Sequence, residues 1–409
     1  MSVESRITYV VQRTLPDPLT GSDRYISDLA RSLSGKYSAE IIATGRSKSV
    51  SPTPLDSKVY SKTFKRFPIK YLTGEIPYIM KKIGLNKQWP MDLYSKPFDG
   101  FLHSSSFGYF SLSMKDYLES HNFQVIHTTA VPTATAWLSW KISRRKKIPL
   151  VLTPFLHYEL LDFRVPWIKK MLIESSVIIA VTNKEKEKLV EFGVSPAKIR
   201  VIPLGIDYRI YSRKRDNLFR QIHGLDEDLF VILVPRKSED KGTFDTLKAV
   251  VNLSQKYNKL GLILLDKTGK VIQQKLAAYI RSLTSNGVKV IDLGWVSGQN
   301  LIDAYQASDV LVEPTRSDAF GIVFLEAWAC GKPVIAADFG AVSEIVHDNV
   351  NGLLVRYGDW QGIEKALISL IDDRKFRTRL GENGKQDVIK KYSIENMVQN
   401  TELIYDSII

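Results

Sequence analysis

Two cations and two acids, each pair at fixed spacing, are the groups in this sequence best suited to chemistry. Arg236 and Lys241 bracket the run Arg-Lys-Ser-Glu-Asp-Lys-Gly242, directly after the apolar stretch 230–234. Fixed cations in a loop can meet the negative charge that develops on a departing phosphate, a task that otherwise falls to a metal. Asp318 and Glu326 lie within the stretch from Pro314 to Val334, which runs from the end of an apolar strand into a helix stopped by Gly331. Ser317 or Asp318 is placed to cap that helix. A helix N-terminus offers free backbone N–H groups and a partial positive charge, so Phe320, Gly321 and Ile322 are suited to receive a phosphate or sugar oxygen through backbone alone. Asp318 stands before the helix and Glu326 two turns inside it, so they are expected to grip different parts of an elongated ligand rather than share one proton.

Elements that position such loops are legible on both sides of residue 204. In the first half, β-branched runs at 7–11, 41–43, 125–126, 150–152 and 177–181 alternate with helical spacing at 25–33, 134–145 and 184–192. In the second, strands are expected at 230–234, 261–265, 288–293, 310–312 and 333–336, with helices at about 243–256, 270–285, 299–306 and 320–329. Repeated βα alternation implies parallel sheets covered by helices. The segment Val201-Ile-Pro-Leu-Gly-Ile-Asp207 separates the two series. The expectation is α/β: two doubly wound domains facing one another, with ligands at the carboxyl ends of the strands in the cleft between them. Residues 46–110 read as loops and short helices inserted in the first domain.

Composition excludes several classes. With 409 residues, 44% hydrophobic and 25% charged, the chain is neither disordered nor collagenous, and one cysteine, Cys330, rules out a disulfide-stapled domain. No apolar run is long enough to span a bilayer, and the N-terminus lacks a signal-peptide pattern, so a cytoplasmic location is expected. Residues 1–200 hold 30 lysines and arginines against 17 acids, while residues 201–409 hold 27 of each. Such asymmetry points the first half toward an anionic partner: nucleic acid, a membrane surface or a phosphorylated substrate. Residues 46–96 add aromatics to their 11 cations and three acids.

The element Asp318-Ala-Phe-Gly-Ile-Val-Phe-Leu-Glu326 resembles the Glu-x7-Glu hallmark of the retaining nucleotide-sugar glycosyltransferases of family four, with the first acid one methylene shorter. Val234-Pro-Arg236 through Lys241-Gly242 resembles that family's Gly-Arg-x4-Lys-Gly loop, with Pro235 in place of its glycine. Gly21-Ser22, the Val201–Asp207 segment, Gly340-Ala-Val-Ser-Glu344 and Leu293-Gly-Trp-Val296 follow in the family's order, so the likeness covers nearly the whole chain. It implies the two-domain GT-B fold: an N-terminal acceptor-side Rossmann-like domain over 1–204, on which a C-terminal helix from about 392 to 409 packs back, and a donor domain over 205–391.

By that resemblance Asp318 bonds donor-sugar hydroxyls and Glu326 the ribose hydroxyls. Arg236 and Lys241 hold the diphosphate, Gly21 faces it from the first domain, and Trp295 packs against the base. Many relatives carry an active-site histidine where this chain has Thr129; His127 and His157 are the alternative candidates on the acceptor side. The implied activity is retaining transfer of a sugar from a nucleoside diphosphate sugar, a substrate rather than a cofactor, to an acceptor hydroxyl, with no metal. The implied partners are a glycan or lipid-linked acceptor and, for the basic half, an anionic membrane surface in preference to nucleic acid. Competing readings are another enzyme on the same fold, such as a nucleotide-sugar epimerase or a phosphorylase, and a nucleic-acid-binding or scaffolding protein with a vestigial site.

Overall fold

The computed structural model describes residues 5–12, 21–45, 64–68 (backbone only), 111–156, 166–213 and 218–409. The chain divides into two compact units, one formed by Met1–Leu204 with Ile394–Ile409 and the other by Gly205–Ser393.

The first unit holds a seven-stranded sheet: β1 (Ser5–Val11), β2 (Tyr37–Gly45), β3 (Phe64–Pro68), β4 (Val125–Thr129), β5 (Leu150–Thr153), β6 (Val177–Ala180) and β7 (Ile199–Val201), in the order β3-β2-β1-β4-β5-β6-β7. Every described pairing in it is parallel. Strands buried on both faces need continuous rather than alternating apolar residues, and β4 and β5 are buried along their whole length. Trp140, Trp167, Met171 and Leu172 are among the side chains that fill the core beside them.

The strand β3 corrects the expectation of loops and short helices across 46–110. It adds to the edge of β2 through backbone bonds from Ile41↔Phe64 to Gly45↔Pro68. Edge pairing does not require a hydrophobic period, and a proline at the end of an edge strand removes no needed donor, so propensity did not reveal it.

The C-terminal helix Ile394–Ile408 belongs to this unit and buries Tyr405 completely. The Tyr405 hydroxyl meets that of Tyr9 at 3.0 Å and His127 Nδ1 at 2.7 Å, while His127 Nε2 meets Thr153 Oγ1 at 2.9 Å. A buried polar chain of this kind is tolerable only when each member is partnered. It therefore fixes the helix in one register on β1, β4 and β5.

The second unit repeats the plan with β8 (Phe230–Val234), β9 (Leu260–Leu265), β10 (Lys289–Gly294), β11 (Val310–Glu313), β12 (Val334–Ala337) and β13 (Gly352–Val355), all parallel, in the order β10-β9-β8-β11-β12-β13. Successive strands run outward from β8 to one edge, then the order reverses and resumes at β11. The loops leaving β8 and β11, neighbours in the sheet at the point where the order reverses, lie at the carboxyl ends, the place where such sheets bind ligands.

Candidate functional site

The β8 and β11 loops carry the two sequence elements, and they are fastened to each other. The Arg316 backbone N–H donates to the Asp240 carbonyl at 3.0 Å, and Thr315 Oγ1 donates to the same oxygen at 3.3 Å. Gly242, at φ +68°, is what allows the approach: a Cβ there would lie 2.6 Å from the Pro314 carbonyl oxygen. Thr243 Oγ1 closes the β8 loop on itself by donating to the Arg236 carbonyl at 2.7 Å.

Four charged side chains converge in this frame. Lys241 Nζ donates to Asp318 Oδ2 at 3.0 Å and to the Ser317 carbonyl at 2.6 Å, and lies 3.7 Å from Glu313 Oε1. Burial works against the Lys241 charge, but Asp318 and Glu313 outweigh it and hold the ammonium above its usual range. Arg236 is balanced in the same way: burial is overcome chiefly by Glu313 and Asp318. Burial likewise opposes ionisation of Asp318, and the Lys241 and Arg236 cations with the Phe320 amide bring its carboxyl below the ordinary range. Among the described residues the Arg236 guanidinium has no hydrogen-bond acceptor, so its fork of donors is open to an anion.

Glu313, the last residue of β11, was not singled out from sequence. Its side chain is 1% exposed, and neither carboxylate oxygen accepts a hydrogen bond among the described residues. Burial pushes its carboxyl up to about 7 against the pull of Lys241 and Arg236.

The expected cap is different from the observed one. The helix is Ile322–Ala329, with Gly321 at its N-cap, φ +96° and no side-chain cap bond. Asp318 Oδ1 instead accepts from the Phe320 N–H at 3.2 Å, closing a turn ahead of the helix. Phe320 and Gly321 are buried and Ile322 is half-buried. Inside the helix, Glu326 is buried, and its two oxygens accept from Tyr211 at 2.8 Å and Tyr305 at 2.6 Å. Sequence reasoning missed both tyrosines because they come from distant elements. Trp295 follows β10 and is 38% exposed, with a large apolar face turned to solvent.

Candidates in the first unit fare differently. His127 is fully buried with both ring nitrogens bonded, and burial lowers its pKa to about 3. It is a neutral core residue rather than an acceptor-side acid or base. Thr129 is buried at the end of β4, in register with Thr153. Gly21 opens the helix Gly21–Ser32, and among the described residues a Cβ there would meet nothing within 4 Å. His157 lies outside the described residues.

Residues 19–209 match Glycosyltransferase Family 4, and residues 215–387 match Glycosyl transferases group 1. The two matches lie in tandem and together take in most of both units. The chain belongs to the family-four glycosyltransferases. Over 241 residues, 57% of the chain, it is 30% identical to an uncharacterized glycosyltransferase of Methanocaldococcus jannaschii, spanning 60% of that protein. Over 211 residues, 49% of the chain, it is 32% identical to the D-inositol 3-phosphate glycosyltransferase of Rhodococcus erythropolis, spanning 48% of that one. The chain thus spans about half the length of these relatives. Its fold is similar to that of Anabaena HepE crystallised with UDP and glucose, at a TM-score of 0.73, 18% identity, 98% of this chain and 99% of the other. Two Rossmann-like domains of the GT-B glycosyltransferase fold are therefore the architecture of this family member.

Proposed function

We propose that the chain transfers a sugar, with retention of anomeric configuration and without a metal, from a nucleoside diphosphate sugar to an acceptor hydroxyl. The observation that carries this reading is the convergence of Arg236, Lys241 and Asp318 where the β8 and β11 loops are fastened together at the carboxyl ends of their strands. Arg236 and Lys241 hold the diphosphate while the bond from the anomeric carbon to the phosphate oxygen breaks and its electron pair passes to the phosphate. The acceptor oxygen forms its bond to the same face of that carbon, and its proton passes to the departing phosphate oxygen. A glycoside and a nucleoside diphosphate result. Two fixed cations supply the charge stabilisation that a divalent ion provides elsewhere.

Asp318 is assigned to sugar hydroxyls and Glu326, braced by Tyr211 and Tyr305, to the ribose. Trp295 offers a stacking face for the base. That Anabaena HepE was crystallised with UDP and glucose supports a nucleoside diphosphate sugar as donor. A thermal-shift screen of nucleotide sugars names the base and sugar, because a donor at a hundred times its Kd raises stability by about 2.7 kcal/mol. Anomeric analysis of the product by NMR tests the stereochemistry, and an inverted product overturns it. Sugar converted without any acceptor would place the chain among epimerases on this fold.

The acceptor is proposed to be lipid-linked, reached by adsorption of the first unit to an anionic surface. Arg144, Arg145, Lys147, Lys169 and Lys170 are exposed, and Glu174 joins their two helices by accepting from Arg144 Nε and Trp140 Nε1, each at 2.9 Å. Trp167, Met171 and Leu172 are core residues, whereas Ile173 of the same helix is 38% exposed. Among the described residues no helix is long and apolar enough to cross a membrane.

A further inference from the structure

Glu313 is a buried carboxylate that the proposed chemistry does not use, placed at the carboxyl end of β11 beside Lys241. Its surroundings are unusual for an acid: 1% exposure, two oxygens without a hydrogen-bond donor among the described residues, and an ammonium at 3.7 Å whose short bonds go to Asp318 and Ser317. Buried carboxylates are ordinarily paired and hydrogen-bonded, or else neutral. The groups facing it are Arg236, Lys241 and Asp240 from the β8 loop and Asp318 from the β11 loop. Tyr305 faces it from the helix Gln299–Ala307.

The charges nearly cancel. Arg236 and Lys241 are opposed by Asp318, more weakly by Asp240 and Asp266, and, when it is ionised, by Glu313. A diphosphate entering this frame brings negative charge beside an unsolvated carboxylate, and like charges in a buried site favour the protonated acid. We propose that Glu313 is the proton-linked residue of the donor site: the nucleoside diphosphate binds with Glu313 protonated, so that one fewer ionised carboxylate opposes the two cations, and binding takes up one proton. The proton comes from solvent and rests on a Glu313 oxygen; no covalent bond to the ligand is made. The inference rests on the donor-site reading above.

The direction follows from linkage. Burial already places the free carboxyl at about 7, and the bound phosphates raise it further. Affinity is then constant well below pH 7 and falls as pH rises between the free and bound values, by up to tenfold per pH unit. Lys241 and Arg236 are held above their usual ranges and Asp318 below its own, so none of the three changes charge across this window.

The test is isothermal calorimetry with UDP, GDP and ADP at pH 7.5 and 8.5, in buffers of different ionisation enthalpy, on the full chain and on Glu313→Gln. Expected for the wild type is an uptake approaching one proton more than in the variant, with affinity falling several-fold to tenfold between the two pH values. Glu313→Gln is expected to bind more tightly at pH 8.5 and to lose most of the pH slope. Taking the difference removes the ligand's own titration. Equal proton numbers and equal slopes in the two proteins overturn the proposal while leaving the donor site intact. Absence of binding by any of the three nucleotides instead overturns the donor-site reading and this inference with it. Should Glu313→Gln fail to fold, the wild-type slope decides: unchanged affinity from pH 7.5 to 8.5, where the nucleotide phosphates are already ionised, rejects the linkage.

Discussion

Lys241 Nζ, from the loop after β8, donates to Asp318 Oδ2, from the loop after β11, at 3.0 Å. One cation thus fastens the acid of the other loop and stands ready for the donor phosphate, whereas Arg236 has no hydrogen-bond acceptor among the described residues.

That asymmetry predicts different phenotypes for two similar substitutions. Arg236→Ala and Lys241→Ala are each expected to lower kcat by two to three orders of magnitude, as when a donor to developing charge is removed, about 2.7 to 4 kcal/mol. Only Lys241→Ala should also lower the melting temperature, because it strands the largely buried Asp318 and Glu313; breaking a buried pair costs about 3 to 5 kcal/mol. Steady-state kinetics with thermal denaturation checks both, and wild-type turnover in either variant would mean that the phosphate is held elsewhere.

Asp318→Asn and Glu326→Gln should also separate. Calorimetry with the free nucleoside diphosphate is expected to show weakened binding for Glu326→Gln alone, since the sugar is missing from that ligand. Glu326→Gln leaves one of Tyr211 and Tyr305 facing an amide N–H₂ and should cost about 1 to 3 kcal/mol in stability. Equal affinity losses in the two variants would reject the division of labour. Near-normal activity of Asp318→Glu would show that the pocket accepts either side-chain length.

His127 supplies an acid-stability prediction. Its pKa is about 3 in the fold against an ordinary 6.5, so on acidification the unfolded chain takes the proton first. Its contribution is complete above about pH 6.5 and is lost as pH falls toward 3, at up to about 1.4 kcal/mol per pH unit. Buried Glu185, pushed up to about 7, works in the opposite sense, losing stability as pH rises from about 4.5. Comparing melting temperature against pH for wild type and His127→Gln cancels that term. The wild-type curve should fall more steeply between pH 6 and 4, and parallel curves would show that His127 does not stay neutral.

Adsorption to membranes is checked by co-flotation with anionic and neutral liposomes. Binding to anionic vesicles at low salt and release at high salt are expected, at about 1 kcal/mol for each basic residue near the surface. Substituting Lys169 and Lys170 by Glu should weaken it without unfolding the chain, since both are exposed. Indifference to anionic lipid at low salt would point to an acceptor that is not membrane-bound.

The sequence by itself determined the elements and the spacing of the reactive groups. The runs Phe-Val-Ile-Leu-Val and Leu-Gly-Leu-Ile-Leu-Leu can be satisfied only in a sheet covered on both faces, and both are buried throughout. The Arg236–Lys241 and Asp318–Glu326 intervals are local, so they could be read before any fold was known. What the tertiary structure decided is everything that depends on partners far apart in the chain. Glu313 ends an apolar strand and carries no motif, yet the β8 loop brings Lys241 to 3.7 Å from it. Tyr211 and Tyr305 carry no motif, yet they hold Glu326. His127 looked like a candidate for chemistry until Tyr405, 278 residues away, occupied its Nδ1. Burial and pairing set the charge of these groups, and both arise from long-range packing, which no local spacing encodes.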